Sequence, residues 1–340
     1  MTAGMRTTGA AATAAILLWA GACQTTPPKP QTPIQRTLGA LEEQGVKAYE
    51  EGRFEEAMRL FGESEALTKS TDNLQGLANA FNNLAAVKRE MGDLDGALEA
   101  LIRAQALNEA LGLQRAAAIN LANVAAVEIE RRSGSLARAR DANRQAEAIF
   151  AGLDDDAGRV LTRNNEGRIL LKSGNLGEAR RAFEEALEMT GEGDAARLRT
   201  VVLSNLGRID EESGDLGRAL ERYRTALEAD REMEIFTGVA RDLEAMARVQ
   251  VKLGSRAEAV DTLRRALDVV LLRIRWMPWI EAARDRLETL LRSLGRDKEA
   301  EEVRKHVVEE LERAKKEEER RKVATREPPI GDVIPGEKIK

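Results

Sequence analysis

Seven glycines recur at an almost constant step along the chain: Gly52, Gly92, Gly134, Gly174, Gly214, Gly254 and Gly295, separated by 40, 42, 40, 40, 40 and 41 residues. Repetition on this scale restricts a chain to stacked copies of one small unit. A unit of this size cannot hide its own apolar face and must bury it against its neighbours. Five residues after each glycine stands an alanine: Ala57, Ala97, Ala139, Ala179, Ala219, Ala259 and Ala300. Four further on a bulky residue is common (Phe61, Leu101, Phe183, Tyr223, Leu263), then alanine again (Ala104, Ala146, Ala186, Ala226, Ala266). Steps of four and three place these side chains on one helical face. The small ones admit a neighbouring helix, and the large ones fill the space between.

Upstream of each glycine lies a second amphipathic stretch, clearest in Leu203-Ser204-Asn205-Leu206-Gly207 and Asn83-Leu84-Ala85, weaker in Asn165-Glu166-Gly167. A glycine between two helices predicts a left-handed turn that a side chain would oppose. Asp93, Asn175 and Asp215, one residue later, are predicted to cap the next helix. Alanine, leucine, glutamate and arginine dominate the composition, and no run alternates with period two, so helices are favoured and a sheet is not. A third of the residues are charged but the net is only −5, which argues against nucleic acid as a ligand. A single cysteine excludes an internal disulfide and a cysteine-based zinc site, and a single histidine, His306, leaves little for histidine-dependent catalysis.

The unit resembles the tetratricopeptide repeat, through Leu206, Gly207, Gly214, Ala219, Tyr223 and Ala226, and again through Gly45, Gly52, Phe54, Ala57 and Phe61. The resemblance implies an all-α fold: a right-handed α-solenoid of about seven helix-turn-helix repeats over residues 37–305. A charged capping helix over 306–322 and a disordered tail over 323–340 are expected to follow. The period exceeds the usual 34 or so residues, so each helix is predicted to be longer by most of a turn. The third unit carries two extra residues. The seventh departs most, with Glu288 in place of the glycine of the Leu-Gly pair and Arg304 in place of the bulky residue.

Residues 1–22 carry one charge, Arg6, then an apolar run too short to span a bilayer, then small residues before Cys23. The Ala20-Gly21-Ala22-Cys23 stretch resembles a bacterial lipobox, although Ala20 stands where leucine is usual. That resemblance implies cleavage before Cys23 and its lipidation. With Gln24 rather than aspartate next, it implies the outer membrane, facing the periplasm. An ordinary signal peptide with an incidental cysteine is the other reading. Residues 23–36 read as a lipidated, proline-rich tether.

No phosphate loop appears, and Asp93-Leu94-Asp95-Gly96 lacks the further ligands of a calcium loop. No metal, cofactor, small-molecule substrate or enzymatic activity is therefore expected. The resemblance implies instead a protein-interaction scaffold of the bacterial envelope, binding partner segments in a concave groove lined by the first helix of each unit. Two alternatives stay open: a soluble periplasmic adaptor, and a regulatory subunit of an envelope enzyme acting on peptidoglycan or exported polysaccharide. Arg168, Arg208 and Arg248 recur at one register position, as do Arg159 and Arg199 at the helix entry. In peptide-binding relatives the position of Arg168 tends to face the groove. A guanidinium ladder there would draw an acidic or carboxylate-ended protein or peptide. Equally, these are solvated arginines paired with Glu211, Glu212 or Glu244. Asn83, Asn123, Asn165 and Asn205 read as structural, bonding neighbouring turns. Trp276 and Trp279 read as packing the last repeats together.

Overall fold

A computed structural model describes residues 32–191 and 194–324, and among these fourteen α-helices and one π-helical turn make up the fold, with no strand. The first helices of the repeats are α1 (Pro33–Glu50), α3 (Leu74–Glu90), α5 (Gln114–Glu130), α7 (Asp156–Lys172), α9 (Asp194–Glu212) and α11 (Phe236–Lys252). Their partners are α2 (Phe54–Ser70), α4 (Leu94–Ala110), α6 (Leu136–Gly152), α8 (Leu176–Glu188), α10 (Leu216–Glu232) and α12 (Arg256–Val269). The π turn Val270–Ile274, α13 (Met277–Ser293) and α14 (Asp297–Ala324) complete the chain. The signal segment, Cys23 and residues 325–340 of the expected tail lie outside the described residues. The tether was expected to run to residue 36, yet α1 already begins at Pro33. The Thr32 hydroxyl accepts from the Gln35 backbone N–H at 3.2 Å and Gln35 Oε1 accepts from the Thr32 backbone N–H at 2.9 Å, a reciprocal cap that starts the helix early.

All seven alanines that follow the periodic glycines are fully buried, from Ala57 to Ala300. Opposite them the repeats share a paired position sixteen residues apart. Gly45 faces Phe61, Gly167 faces Phe183 and Gly207 faces Tyr223, and a Cβ at these glycines would stand only 2.5, 2.6 and 2.9 Å from the rings. Where the partner is a leucine, at Leu101 and Leu263, the glycine position holds Ala85 and Ala247. Ring and glycine, leucine and alanine keep the summed volume nearly constant, as a close-packed interior requires. The seventh repeat fills the same pair of positions with charge: Arg304 donates to the buried Glu288 at 2.6 Å, and Arg292 joins at 3.0 Å. What reads as degeneracy is the replacement of a glycine and a buried ring by a buried carboxylate and a half-exposed guanidinium.

Six of the seven turn glycines are left-handed, with φ between 71° and 85°. Gly134 is the exception. Two extra residues relax its turn, and its glycine is needed for space, since a Cβ would stand 1.9 Å from the Glu128 carbonyl oxygen. Asp93 and Asp215 cap α4 and α10 by accepting from Gly96 and Arg218 amides at 2.9 and 3.2 Å. Asn175 was expected to do the same for α8 but makes no side-chain cap bond.

The chain divides into two units at Ala283–Arg284, within α13. In the second unit, the expected boundary between the last repeat and a capping helix is absent, because α14 runs unbroken from Asp297 to Ala324. In the first unit, neighbouring first helices touch one another (α1 with α3, α5 with α7, α7 with α9, α9 with α11), whereas second helices pack on first helices and not comparably on each other. A stack whose two layers are so unequally spaced must curve, with the first-helix layer inside.

The curvature brings the ends of the first unit together. A Cβ on Gly52 would stand 2.6 Å from Ile274 Cα, and Phe54 meets Trp276 edge-on at 6.0 Å between ring centroids. Arg241 in α11 stacks over Trp279 at 5.0 Å and donates to Glu90 of α3 at 2.7 Å. Trp279 packs the last repeats together as expected, against Arg241 of α11, whereas Trp276 reaches past them to Phe54 of the first repeat. A full turn of the stack returns the chain to its start, and Trp276 on Phe54 and Arg241 on Glu90 close that turn.

The inner helix layer as a candidate binding groove

Arg168, Arg208 and Arg248 lie one above the next on α7, α9 and α11, toward the C-terminal halves of the inner helices. Their environments differ. Arg168 is largely buried and donates to Glu130 at 2.6 Å, while Arg89 grips the same carboxylate through Nε at 2.7 Å. Arg208 is 60% exposed and held only by Glu212, one turn away on its own helix, at 2.9 Å. Such exposed pairs contribute about 1 kcal/mol at most and exchange readily. Arg248, half-exposed, forks onto Glu211 at 2.8 and 2.9 Å, and Lys252 reaches that carboxylate at 2.7 Å.

Each of these two carboxylates thus serves two cations, and the strip keeps a positive excess. Burial opposes ionisation of Glu130, but Arg89 and then Arg168 outweigh it and hold the group at about 2. Burial likewise works against Glu211, and the hydrogen bonds from Arg248 and Lys252 pull it down to about 2. Tyr223 lies against Glu211 at 3.2 Å, and burial together with that carboxylate pushes its hydroxyl well above the ordinary value.

Arg159 and Arg199 are not brought to this row. They sit nine residues earlier on α7 and α9, half a turn out of phase with Arg168 and Arg208. Arg159 pairs with Asp156 at 3.6 Å and Glu147 at 3.8 Å, and Arg199 donates to the Thr190 hydroxyl at 3.3 Å. Two of the recurrent asparagines bond between inner helices, Asn165 Nδ2 to the Ala122 carbonyl at 2.9 Å and Asn205 Nδ2 to Asn164 Oδ1 at 2.8 Å, while Asn83 and Asn123 are buried at the same position. They act as structure.

Three groups escaped the sequence reading. Glu130 and Arg89 complete the buried triad with Arg168. Asn82, Asn108 and Asn120 form an amide relay, with Asn120 donating to Asn82 at 3.0 Å and Asn108 to Asn120 at 2.8 Å. Asp230 and Asp242 are buried together between α10 and α11. Burial raises Asp230 to about 7, against the pull of the Thr200 hydroxyl and Arg241. Burial raises Asp242 to about 8, against Ser204, which donates to it at 2.7 Å, and with help from the Asp230 charge. The one legible signal was a spacing of twelve, shared by Asn108 and Asn120, Glu211 and Tyr223, and Asp230 and Asp242. That spacing joins the end of one helix to the start of the next, or the reverse. Among the described residues no cluster of His, Cys, Asp and Glu is suited to a metal, and no helix is long and apolar enough to cross a membrane.

Residues 158–232 and 77–112 match family models of the tetratricopeptide repeat. Tetratricopeptide repeat protein 36 of Mus musculus is 37% identical over 130 residues, 38% of this chain and 54% of that protein. The human protein of that name is 34% identical over 134 residues, 39% of this chain and 56% of that protein. The chain therefore matches only about half the length of these curated relatives. Among solved structures, NprR in complex with its cognate peptide NprX superposes with a TM-score of 0.57 at 15% identity, over 84% of this chain and 78% of that one. The tetratricopeptide sensor-bearing signal transduction ATPase of Pyrococcus horikoshii gives 0.54 at 16%, over 82% and 44%. A Rap protein complexed with Competence and Sporulation Factor gives 0.51 at 13%, over 83% and 99%. Sequence matches and fold agree: the chain carries tetratricopeptide repeats, set in an all-helical solenoid of nearly constant period.

Proposed function

We propose that the protein is a non-catalytic scaffold that holds an acidic or carboxylate-ended segment of a partner protein against its inner helix layer. The observation that carries this reading is the ratio of charges there. Glu130 takes both Arg89 and Arg168, Glu211 takes both Arg248 and Lys252, and Arg208 is bound only by an exposed pair on its own helix. An incoming carboxylate meets guanidinium donors already aimed and only partly neutralised, and it displaces little to bond them. Arg168 is committed to Glu130, so it positions the strip and Arg208, Arg248 and Lys252 receive the segment. Arg159 and Arg199, on the opposite sides of α7 and α9 and held by Glu147, Asp156 and Thr190, take no part in it. Peptide occupancy in NprR, a structural neighbour, supports a segment as the ligand.

In this reading the chain works in a bacterial envelope, tethered to the outer membrane and facing the periplasm through a lipidated Cys23, and adapts components of an envelope assembly. The support is the apolar, small-residue-ended stretch of residues 1–22 and the single cysteine after it. Membrane fractionation of Cys23→Ala tests the anchor: release to the soluble fraction is expected, and retention rejects it. The groove is tested separately by Arg208→Glu combined with Arg248→Glu. Partner capture from native membranes is expected to fall and to lose its salt dependence. Undiminished capture rejects the charged groove.

A further inference from the structure

Where α3 and α5 begin and α4 and α6 end, the stack changes character. A cleft of about 370 Å³ opens there, lined by Gln75, Asn79, Asn108, Gln114, Arg115 and Leu153. Its floor continues into a recess bounded by Asn82, Ile119 and Asn120, with Asn79 and Asn108 shared by both. No carboxylate lines either space, and the one cation, Arg115, is held by Asp155 at 2.6 Å. This is a neutral pocket walled by amides, unlike the charged strip on α9 and α11.

Asn108 is the informative residue. It is only 3% exposed, it ends the relay by donating to Asn120, and its Oδ1 has no hydrogen-bond partner. A buried amide oxygen left unbonded costs free energy that a suitable ligand recovers. A carboxylate has no donor for the oxygen, and an ammonium would be desolvated without a counter-charge. A primary carboxamide fits on both counts.

We propose that this pocket takes the side-chain carboxamide of a glutamine or asparagine in the partner segment, giving the charged groove a neutral specificity subsite. The proposal rests on the segment-binding reading above, but its test does not involve the arginine strip. The full chain, labelled with ¹⁵N-asparagine, is titrated with propionamide (the glutamine side chain alone), with propionate and with N-methylacetamide, while the side-chain NH₂ signals are followed. Saturable shifts of the Asn108 and Asn120 signals with propionamide are expected, and binding should weaken about tenfold or more when Asn108 is replaced by leucine. If Asn108→Leu lowers thermal stability too far, the half-buried Asn79→Ala serves, with the same loss expected. Absent shifts, or equal shifts with propionate, overturn the amide pocket. Equal binding of N-methylacetamide overturns its preference for a side-chain over a main-chain amide. Failure here alongside charge-dependent capture at Arg208 and Arg248 removes the subsite and leaves the groove.

Discussion

Arg241 donates to the carboxylate of Glu90 at 2.7 Å, tying α11 to α3 across 151 residues of sequence. Glu90 is nearly inaccessible there, and Trp279 covers the guanidinium from the other side. The first unit is therefore closed as well as stacked. A solenoid held only by nearest neighbours opens like a spring, whereas this one has a contact that spans a full turn and fixes the width of its groove.

The closure can be isolated by comparing glycines. Gly52 and Gly92 both adopt left-handed φ, 71° and 84°, so alanine strains both by about 1 kcal/mol. Only at Gly52 does the added Cβ strike another part of the chain, the Ile274 backbone; at Gly92 it meets open space. Gly52→Ala should raise hydrogen exchange across residues 270–280, and Gly92→Ala should leave that segment protected.

The glycine–ring pairing yields a compensation test. Gly167→Ala pushes a methyl into the Phe183 ring and should destabilise by about 1–3 kcal/mol. Adding Phe183→Leu should recover part of that loss, because alanine with leucine is the pair used at 85 and 101 and at 247 and 263. Urea midpoints of the two single variants and the double variant measure the coupling.

Asp230 and Asp242 set the pH response. Their folded values, about 7 and about 8, lie above the unfolded carboxylate value, so the folded state holds the extra protons. Their contribution is complete below the unfolded value and is lost as pH rises through 7 and 8. Glu130 and Glu211, held at about 2, act oppositely and lose their contribution as pH falls toward 2. Stability should peak in mildly acidic solution, with Tm falling by roughly 5 °C or more between pH 5 and 9. Asp242→Asn, a permanent mimic of the protonated form, should flatten that fall.

The solenoid was legible because its evidence is periodic: every copy of Ala57 in register is buried, as one face of a repeated helix demands. The arginine row was legible for the same reason. Its energetics were not, because one register position carries opposite charges, Arg89 before Gly92 and Glu211 before Gly214, and the pairing with Arg168 and Arg248 depends on which neighbouring helix faces which. The closure through Trp276 and Arg241 was hidden more deeply. It depends on the accumulated curvature of six repeats, which no local pattern encodes.

The central claim is that a partner segment lies on the inner helix layer. A benzophenone side chain replacing Arg208 on α9, with Arg248 and Lys252 left in place, tests it against the same label replacing the exposed Glu228 on the outer helix α10. Mass spectrometry of the photoadducts from native membranes should find one partner segment, rich in Asp and Glu, joined at position 208 and not at 228. Equal labelling at both positions, or partner adducts at 228 alone, would contradict the account.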